Sequence, residues 1–253
     1  LCAKIPKGVG LDDAAYTTLG SIALQGIRQV DPTLGEVIVV IGLGLLGQLT
    51  IQMLKANGCF VIGIDVDDAT VKLARQCGAD VAVRRDTGDA KNVVRAATKG
   101  SGADAVIITA ATPSNDPVAF AGELCREKGR AVLVGDVGLE LPRPPYFLKE
   151  RDFRLSRSLG PGRYDPEYEE RGKDYPVAYV RWSENRNMQE FLRLLATRQV
   201  NPQSLTTHRF ALDDAQDAYA LITGAKSKKH GRFIGVLLDY GEGESESLQE
   251  LQR

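Results

Sequence analysis

The stretch VIVVIGLGLLGQLTIQMLKANGCFVIGID, Val37 to Asp65, decides the architecture. Its first five residues are an unbroken β-branched run, as expected of a strand covered on both faces. GLGLLG follows, and then QLTIQMLKANG, in which leucine, isoleucine and methionine recur at helical spacing until Gly58 supplies a stop. CFVIGID makes a second strand that closes on Asp65. Strand, glycine turn, helix and strand in that order form a βαβ unit with parallel strands and a right-handed crossover.

The alternation continues outward. DDATVKLARQCG predicts a helix capped by Asp67 or Asp68. ADVAV (Ala79 to Val83) reads as a third strand, a polar helix spans about Ala90 to Thr98, and ADAVIIT (Ala103 to Thr109) is a fourth strand. A helix from about Asp116 to Glu127 leads to GRAVLVG (Gly129 to Gly135), and FRLSRSLG (Phe153 to Gly160) supplies a sixth strand. The predicted fold is α/β: a doubly wound, six-stranded parallel sheet with extra flanking helices. Residues 1–34 read as a lead-in from a preceding domain, with a helix over about Asp12 to Arg28. Residues 35–160 form the sheet domain. Residues 161–240 hold an aromatic stretch, the amphipathic helix MQEFLRLLATRQ with its face of Phe191, Leu192, Leu194 and Leu195, a helix over about Asp213 to Ile222, and a strand RFIGVLL (Arg232 to Leu238). Residues 241–253 are a polar tail.

The 253 residues carry 32 Lys+Arg against 33 Asp+Glu, a net charge of -1, which argues against nucleic acid or an anionic membrane as partner. No apolar run reaches the ~18 residues of a membrane-spanning helix, and no secretion signal is present. Cys2, Cys59, Cys77 and Cys125 are scattered without a CxxC pair, so a reducing, cytoplasmic setting is expected. The start at Leu1, in mid-pattern, suggests a piece of a longer protein.

Gly42, Gly44 and Gly47 each have a mechanical job in dinucleotide binding. The first permits the tight turn, the second removes the side chain where a pyrophosphate approaches, and the third lets the helix pack closely. The amides of Gly44, Leu45, Leu46 and Gly47 then face the anion at the helix start. Asp65 stands at the expected ~20-residue distance to accept both ribose hydroxyls. Val66, Asp67 and Asp68 follow it without a cation to balance a 2′-phosphate, so NAD is expected over NADP. Glycines serving only helix–sheet packing would leave this context without a purpose. S-adenosylmethionine-dependent transferases and flavoproteins use similar units, but such a transferase needs a reversed strand near the sheet's end, and FRLSRSLG shows no hairpin with its neighbour.

LCAKIPKGVGLDDAA, LGEVIVVIGLGLLG, VIGIDVDDATVKLARQCGAD and SGADAVIITAA resemble the medium-chain dehydrogenase/reductase superfamily, the zinc-type alcohol dehydrogenase relatives. LTTHRFALDDAQDAYALITG and GRFIGVLL resemble its closing segment. ERDFRLSRSLGPGRYDPEYEERGKDYPVAYVRWSENRNM is similar to the bidomain oxidoreductase branch, which tends to be linked with sugar or polysaccharide metabolism. The resemblance implies a six-stranded Rossmann-type sheet that binds NAD, with Thr109, Ala110, Ala111, Val134 and Gly135 lining the cofactor face. It also implies an N-terminal catalytic domain that would precede Leu1 and carry most metal ligands and proton-relay residues. Where zinc members carry a cysteine before the glycine motif, this chain has Thr17 or Thr18. Its two histidines, His208 and His230, have no ligand partner at metal spacing, so no zinc is expected.

The aromatic stretch holds Tyr164, Tyr168, Tyr175, Tyr179 and Trp182 among Arg163, Arg171 and Lys173. It reads either as a substrate-facing lid, with Arg163 and Tyr164 its foremost residues, or as a surface-packed loop or interface. The expected activity is hydride transfer between NAD(H) and a carbonyl or secondary alcohol of a small, sugar-derived molecule, by a chain that could form homo-oligomers. An NAD-sensing or assembly module and an S-adenosylmethionine-dependent transferase are the alternatives. No proton donor is assigned, and the chain alone is expected to bind NAD(H) with weak turnover.

Overall fold

A computed structural model describes residues 2–87, 89–224 and 232–241. The chain forms two compact units, Leu1–Asn201 and Pro202–Arg253. In the first, strands β1 (Val37–Ile41), β2 (Phe60–Asp65), β3 (Val81–Arg84), β4 (Ala103–Ile108), β5 (Cys125–Leu133) and β6 (Asp152–Leu155) make one sheet in the order β3-β2-β1-β4-β5-β6. Every neighbouring pair is parallel. This is the doubly wound, Rossmann-type order, and it contains no reversed strand. The order switches direction between β1 and β4, so their carboxyl ends diverge into a crevice.

Helices α1 (Thr17–Val30), α2 (Leu45–Ala56), α3 (Asp68–Gln76), α4 (Ala90–Ala97), α5 (Asp116–Leu124) and α6 (Glu184–Ala196) accompany the sheet. Val39, Ile41, Ile62, Ile64, Val106, Ile108, Ala131 and Leu133 form a core with Val94 of α4, Phe120 of α5 and Tyr146. Alternate residues of the same strands face the other way. There Ile107 and Val134 approach Gly26 of α1, and α1 packs on both α2 and α6. The lead-in helix is therefore part of the sheet's cover.

Several boundaries differ from expectation for local reasons. The lead-in helix breaks into Leu11–Ala14 and α1, with the Thr17 hydroxyl bonded to the Ala14 carbonyl oxygen at the restart (2.6 Å). α5 stops at Leu124 rather than Glu127, because Cys125 already pairs with Ala103 of β4, before a break in register that resumes at Arg130. Arg151 fixes that early strand by donating to the carbonyl oxygens of Cys125 and Arg126. β6 ends at Leu155 rather than Gly160, since Ser158 (φ 50°) and Gly160 (φ 111°) turn the chain out of the extended region. α6 begins four residues before Met188, at Glu184.

In the second unit, β7 (Thr206–Ala211) and β8 (Gly235–Asp239) pair in parallel, and α7 (Ala215–Ile222) follows a 3-10 turn at Leu212–Asp214. β7 was not expected, and the closing strand begins at Gly235 rather than Arg232. Leu205, Ala218, Leu221 and Leu237 are buried there. His230 and residues 242–253 of the expected polar tail lie outside the described residues. No helix among the described residues is long and apolar enough to cross a membrane.

Gly20 of α1 receives the ring of Phe191 from α6, and a Cβ at Gly20 would lie 2.2 Å from that ring. Gly20→Ala should therefore destabilise the chain by ~1–3 kcal/mol through overpacking. In a Phe191→Leu background the same change should cost much less, measured as a double-mutant cycle of urea midpoints. Additive costs would show that the two helices do not meet this way.

Candidate functional site

The glycine turn is built from backbone up. β1 ends at Ile41, and Gly42 takes φ 92°, a left-handed value that a side chain resists. The Thr109 hydroxyl donates to the Gly42 carbonyl oxygen (2.5 Å), joining the ends of β1 and β4 across the crevice. A Cβ at Gly47 would lie 2.1 Å from that same oxygen, so only glycine lets α2 start so close to the turn. A Cβ at Gly44 would meet nothing within 4 Å. Gly44 caps α2 with no side-chain hydrogen bond, and among the described residues the N–H groups of Leu45, Leu46 and Gly47 have no hydrogen-bond partner. An uncapped, open helix start favours an anion through its donors and its dipole.

Asp65 closes the rim. One carboxylate oxygen accepts the Leu43 N–H (2.5 Å) and the other accepts the Asp67 N–H (3.0 Å). These bonds hold the group half-buried at the carboxyl end of β2 and leave lone pairs for hydroxyl donors. Asp67, by contrast, is spent as the cap of α3, accepting from Ala69 and Thr70.

Two supporting residues escaped the sequence reading. Buried Gln48 donates its amide to the carbonyl oxygens of Leu43 (2.8 Å) and Thr70 (3.0 Å), tying the turn to α3. Arg84 ends β3 directly opposite Asp65 in the sheet register. Its guanidinium is held by Asp86 (2.5 Å) and approached by Asp68 (3.7 Å). The pair Arg84-Arg85 just after the third strand was the available signal, once β3 was known to flank β2.

Gly42, Leu43, Gly44, Leu45, Leu46, Gly47, Asp65, Thr109 and Ala110 thus come together around the crevice. A Cβ at Gly42 would lie 2.5 Å from the Ala110 nitrogen. Gly135 joins them, since a Cβ there would lie 2.0 Å from the Ala110 carbonyl oxygen, while the Val134 side chain turns toward α1.

The aromatic stretch divides. Tyr168 is buried and donates to the Ser183 hydroxyl (2.7 Å), and its ring stacks on Tyr175 at 5.1 Å. Tyr175 donates to Asp165, which pushes its phenol up to about 12, and Trp182 lies 3.5 Å from the Arg28 guanidinium of α1. These three pack the segment. Arg163 is paired with Glu169, and Tyr164 stays exposed with φ 67°. Among the described residues, no hydrogen bond or ion pair links Arg163 or Tyr164 to the glycine turn.

Residues 46–170 match the profile of the zinc-binding dehydrogenase family. This segment is similar to the cofactor-binding portion of the zinc-type alcohol and sorbitol dehydrogenases of the medium-chain dehydrogenase/reductase superfamily. The chain is 28% identical over 240 residues to a sorbitol dehydrogenase of Halalkalibacterium halodurans, covering 92% of the chain and 60% of that relative. It is 30% identical over 140 residues to an NAD-dependent alcohol dehydrogenase of Sulfurisphaera tokodaii, covering 54% and 40%. The alcohol dehydrogenase of Thermus sp. ATN1 shares the fold with a TM-score of 0.72 at 20% identity, over 93% of this chain and 62% of that one. The chain spans about 60% or less of the curated relatives' length.

The described residues do not fit a zinc centre. Among the described residues, no three His, Cys, Asp or Glu side chains are grouped to hold a metal. Thr17 is turned to a backbone carbonyl, Cys59 and Cys125 are buried, and burial pushes the Cys125 thiol up to about 12. A thiol held protonated is a poor zinc ligand. Elemental analysis of the purified chain should find no stoichiometric zinc. About one tightly held zinc per chain, lost in Cys2→Ser or His208→Ala, would overturn this.

Beside the aromatic stretch, Glu184 is buried at the start of α6. Burial and then the charge of Glu169 push its carboxyl above the usual range, while the Arg163 hydrogen bond holds Glu169 below it. A raised folded-state value means stability that is complete at low pH and lost as pH rises through that value. Thermal melts between about pH 4 and pH 8 should therefore decline less in Glu184→Gln than in the unmodified chain. Parallel profiles would remove Glu184 as the source.

Proposed function

We propose that this chain is the cofactor-holding portion of an NAD(H)-dependent dehydrogenase acting on a carbonyl or secondary alcohol of a small, sugar-derived molecule. One observation carries the reading: the open, uncapped first turn of α2 above Gly44, with Asp65 pinned at its rim. Gly42, Gly44, Leu45, Leu46 and Gly47 would hold a pyrophosphate through backbone N–H groups, and Asp65 would accept the adenosine ribose hydroxyls. Thr109, Ala110 and Gly135 would line the crevice toward the nicotinamide, with Val134 offering only its backbone there, and with Arg163 and Tyr164 on the substrate side. When bound, the nicotinamide supplies the hydride-exchanging carbon, and the chain's own contribution is orientation and electrostatics. The sugar-alcohol and NAD-dependent relatives support this substrate and cofactor class. Four free cysteines, two of them buried, support a cytoplasmic setting.

Asp65 favours NAD by repelling a 2′-phosphate, and Arg84 does not offset it because two acids already engage its charge. Calorimetry should give an NADH affinity at least about tenfold above that for NADPH, ~1.4 kcal/mol. Asp65→Ser should narrow the gap, and Asp65→Ser with Asp86→Asn should narrow it further by releasing Arg84. Equal affinities in the unmodified chain would sink the assignment.

Binding needs only the turn, the helix start and Asp65. Turnover also needs a positioned acid or base, typically worth ~100- to 10,000-fold. The chain alone should therefore bind NADH yet reduce aldehydes and sugar ketones only weakly. Vigorous turnover that vanishes in Tyr164→Phe would show that it carries its own proton donor.

A further inference from the structure

Arg157 lies two residues beyond the carboxyl end of β6, the edge strand that follows β5 in the sheet and shares its direction. The Ser156 N–H still bonds to the Leu133 carbonyl oxygen (2.8 Å), so Arg157 departs from a fixed point of the sheet. Its guanidinium carbon sits 4.5 Å from the centre of the Tyr164 ring, and that of Arg163 sits 4.4 Å from the same centre. The two cations are not equivalent. Arg163 is neutralised by Glu169, whose other oxygen accepts the Tyr164 N–H (3.1 Å). Arg157 is exposed and has no acidic partner among the described residues. Two positive charges therefore converge on one ring with a single negative charge between them.

The loop that presents this pair is held firmly. Asn187 of α6 donates to the Leu159 carbonyl oxygen (2.8 Å), and Asp165 caps the short helix Pro166–Glu169 while receiving the Tyr175 hydroxyl. Tyr164 itself keeps a left-handed backbone, φ 67°, which a non-glycine residue holds only where its surroundings impose it. The residue remains 57% exposed. A firmly held loop that keeps an aromatic ring and an uncompensated guanidinium just beyond the carboxyl end of β6 suits a small anion. The guanidinium fork matches a carboxylate or phosphate with two parallel N–H donors, and stacking on the ring preserves its plane.

We propose that Arg157 and Tyr164 form an anion-recognising subsite that takes the carboxylate or phosphate of the substrate. The proposal rests on the dehydrogenase reading for the word substrate, while the anion site itself does not depend on it. It transfers the recognising role from Arg163, which Glu169 already occupies, to Arg157.

The test is calorimetry of the chain, with and without saturating NADH, against gluconate, glucose 6-phosphate and neutral sorbitol at fixed ionic strength. At least one acid should bind, sorbitol should bind at least tenfold more weakly, and the better acid identifies carboxylate or phosphate as the group. Arg157→Gln should lose tenfold or more in affinity for that acid while its NADH affinity stays within twofold. Arg157→Lys should recover only part of the loss, since it restores charge without the fork. Equal binding of sorbitol, no binding of either acid, or full acid affinity in Arg157→Gln would each overturn the proposal. Failure of NADH to bind the unmodified chain would instead strike the dehydrogenase reading, and the cofactor-free titrations would still decide the anion site.

Discussion

The hydrogen bond from the Leu43 N–H to the Asp65 carboxylate connects what the sequence separates by 22 positions. It holds the glycine turn against the end of the second strand. Gln48 braces the same turn from the helix side, and the Thr109 hydroxyl braces it from the fourth strand. The start of α2 is consequently fixed on three sides while its donors stay open. A helix terminus with satisfied surroundings and unsatisfied donors is prepared for a charged guest before the guest arrives, which reduces the ordering that binding would otherwise require.

Much of this was legible in the residues. VIVVI is a continuous apolar run, as expected of a strand covered on both faces, and CFVIGID and ADAVIIT are largely apolar with few interruptions. The glycine spacing and Asp65 located the turn because short-range mechanics dictate them. Arg84 and Gln48 were not legible, because their importance depends on which strand lies beside which and on a side chain spanning two helices. CREK was misread as a helix end for a related reason. Its strand character comes from β4 and from Arg151, both distant in sequence.

The aromatic stretch shows how one composition can serve two purposes. Tyr168, Tyr175 and Trp182 spend their polar atoms or faces on the protein itself, through Ser183, Asp165 and Arg28. Tyr164 does not. Sequence alone offers five aromatic residues with similar neighbours, and only the contacts and exposure in the fold separate the three packing members from exposed Tyr164 and Tyr179.

The position of α1 has a consequence for how such a chain can be rearranged. Ala23, Leu24, Ile27 and Val30 are all buried on this helix, which lies against α2, α6 and the sheet. A recombination junction at the start of β1 would look natural by strand count, yet it would strip a cover from the sheet and leave an oily face exposed. Exchange of modules that preserved solubility would have to cut before Thr17, carrying the helix with the sheet it protects.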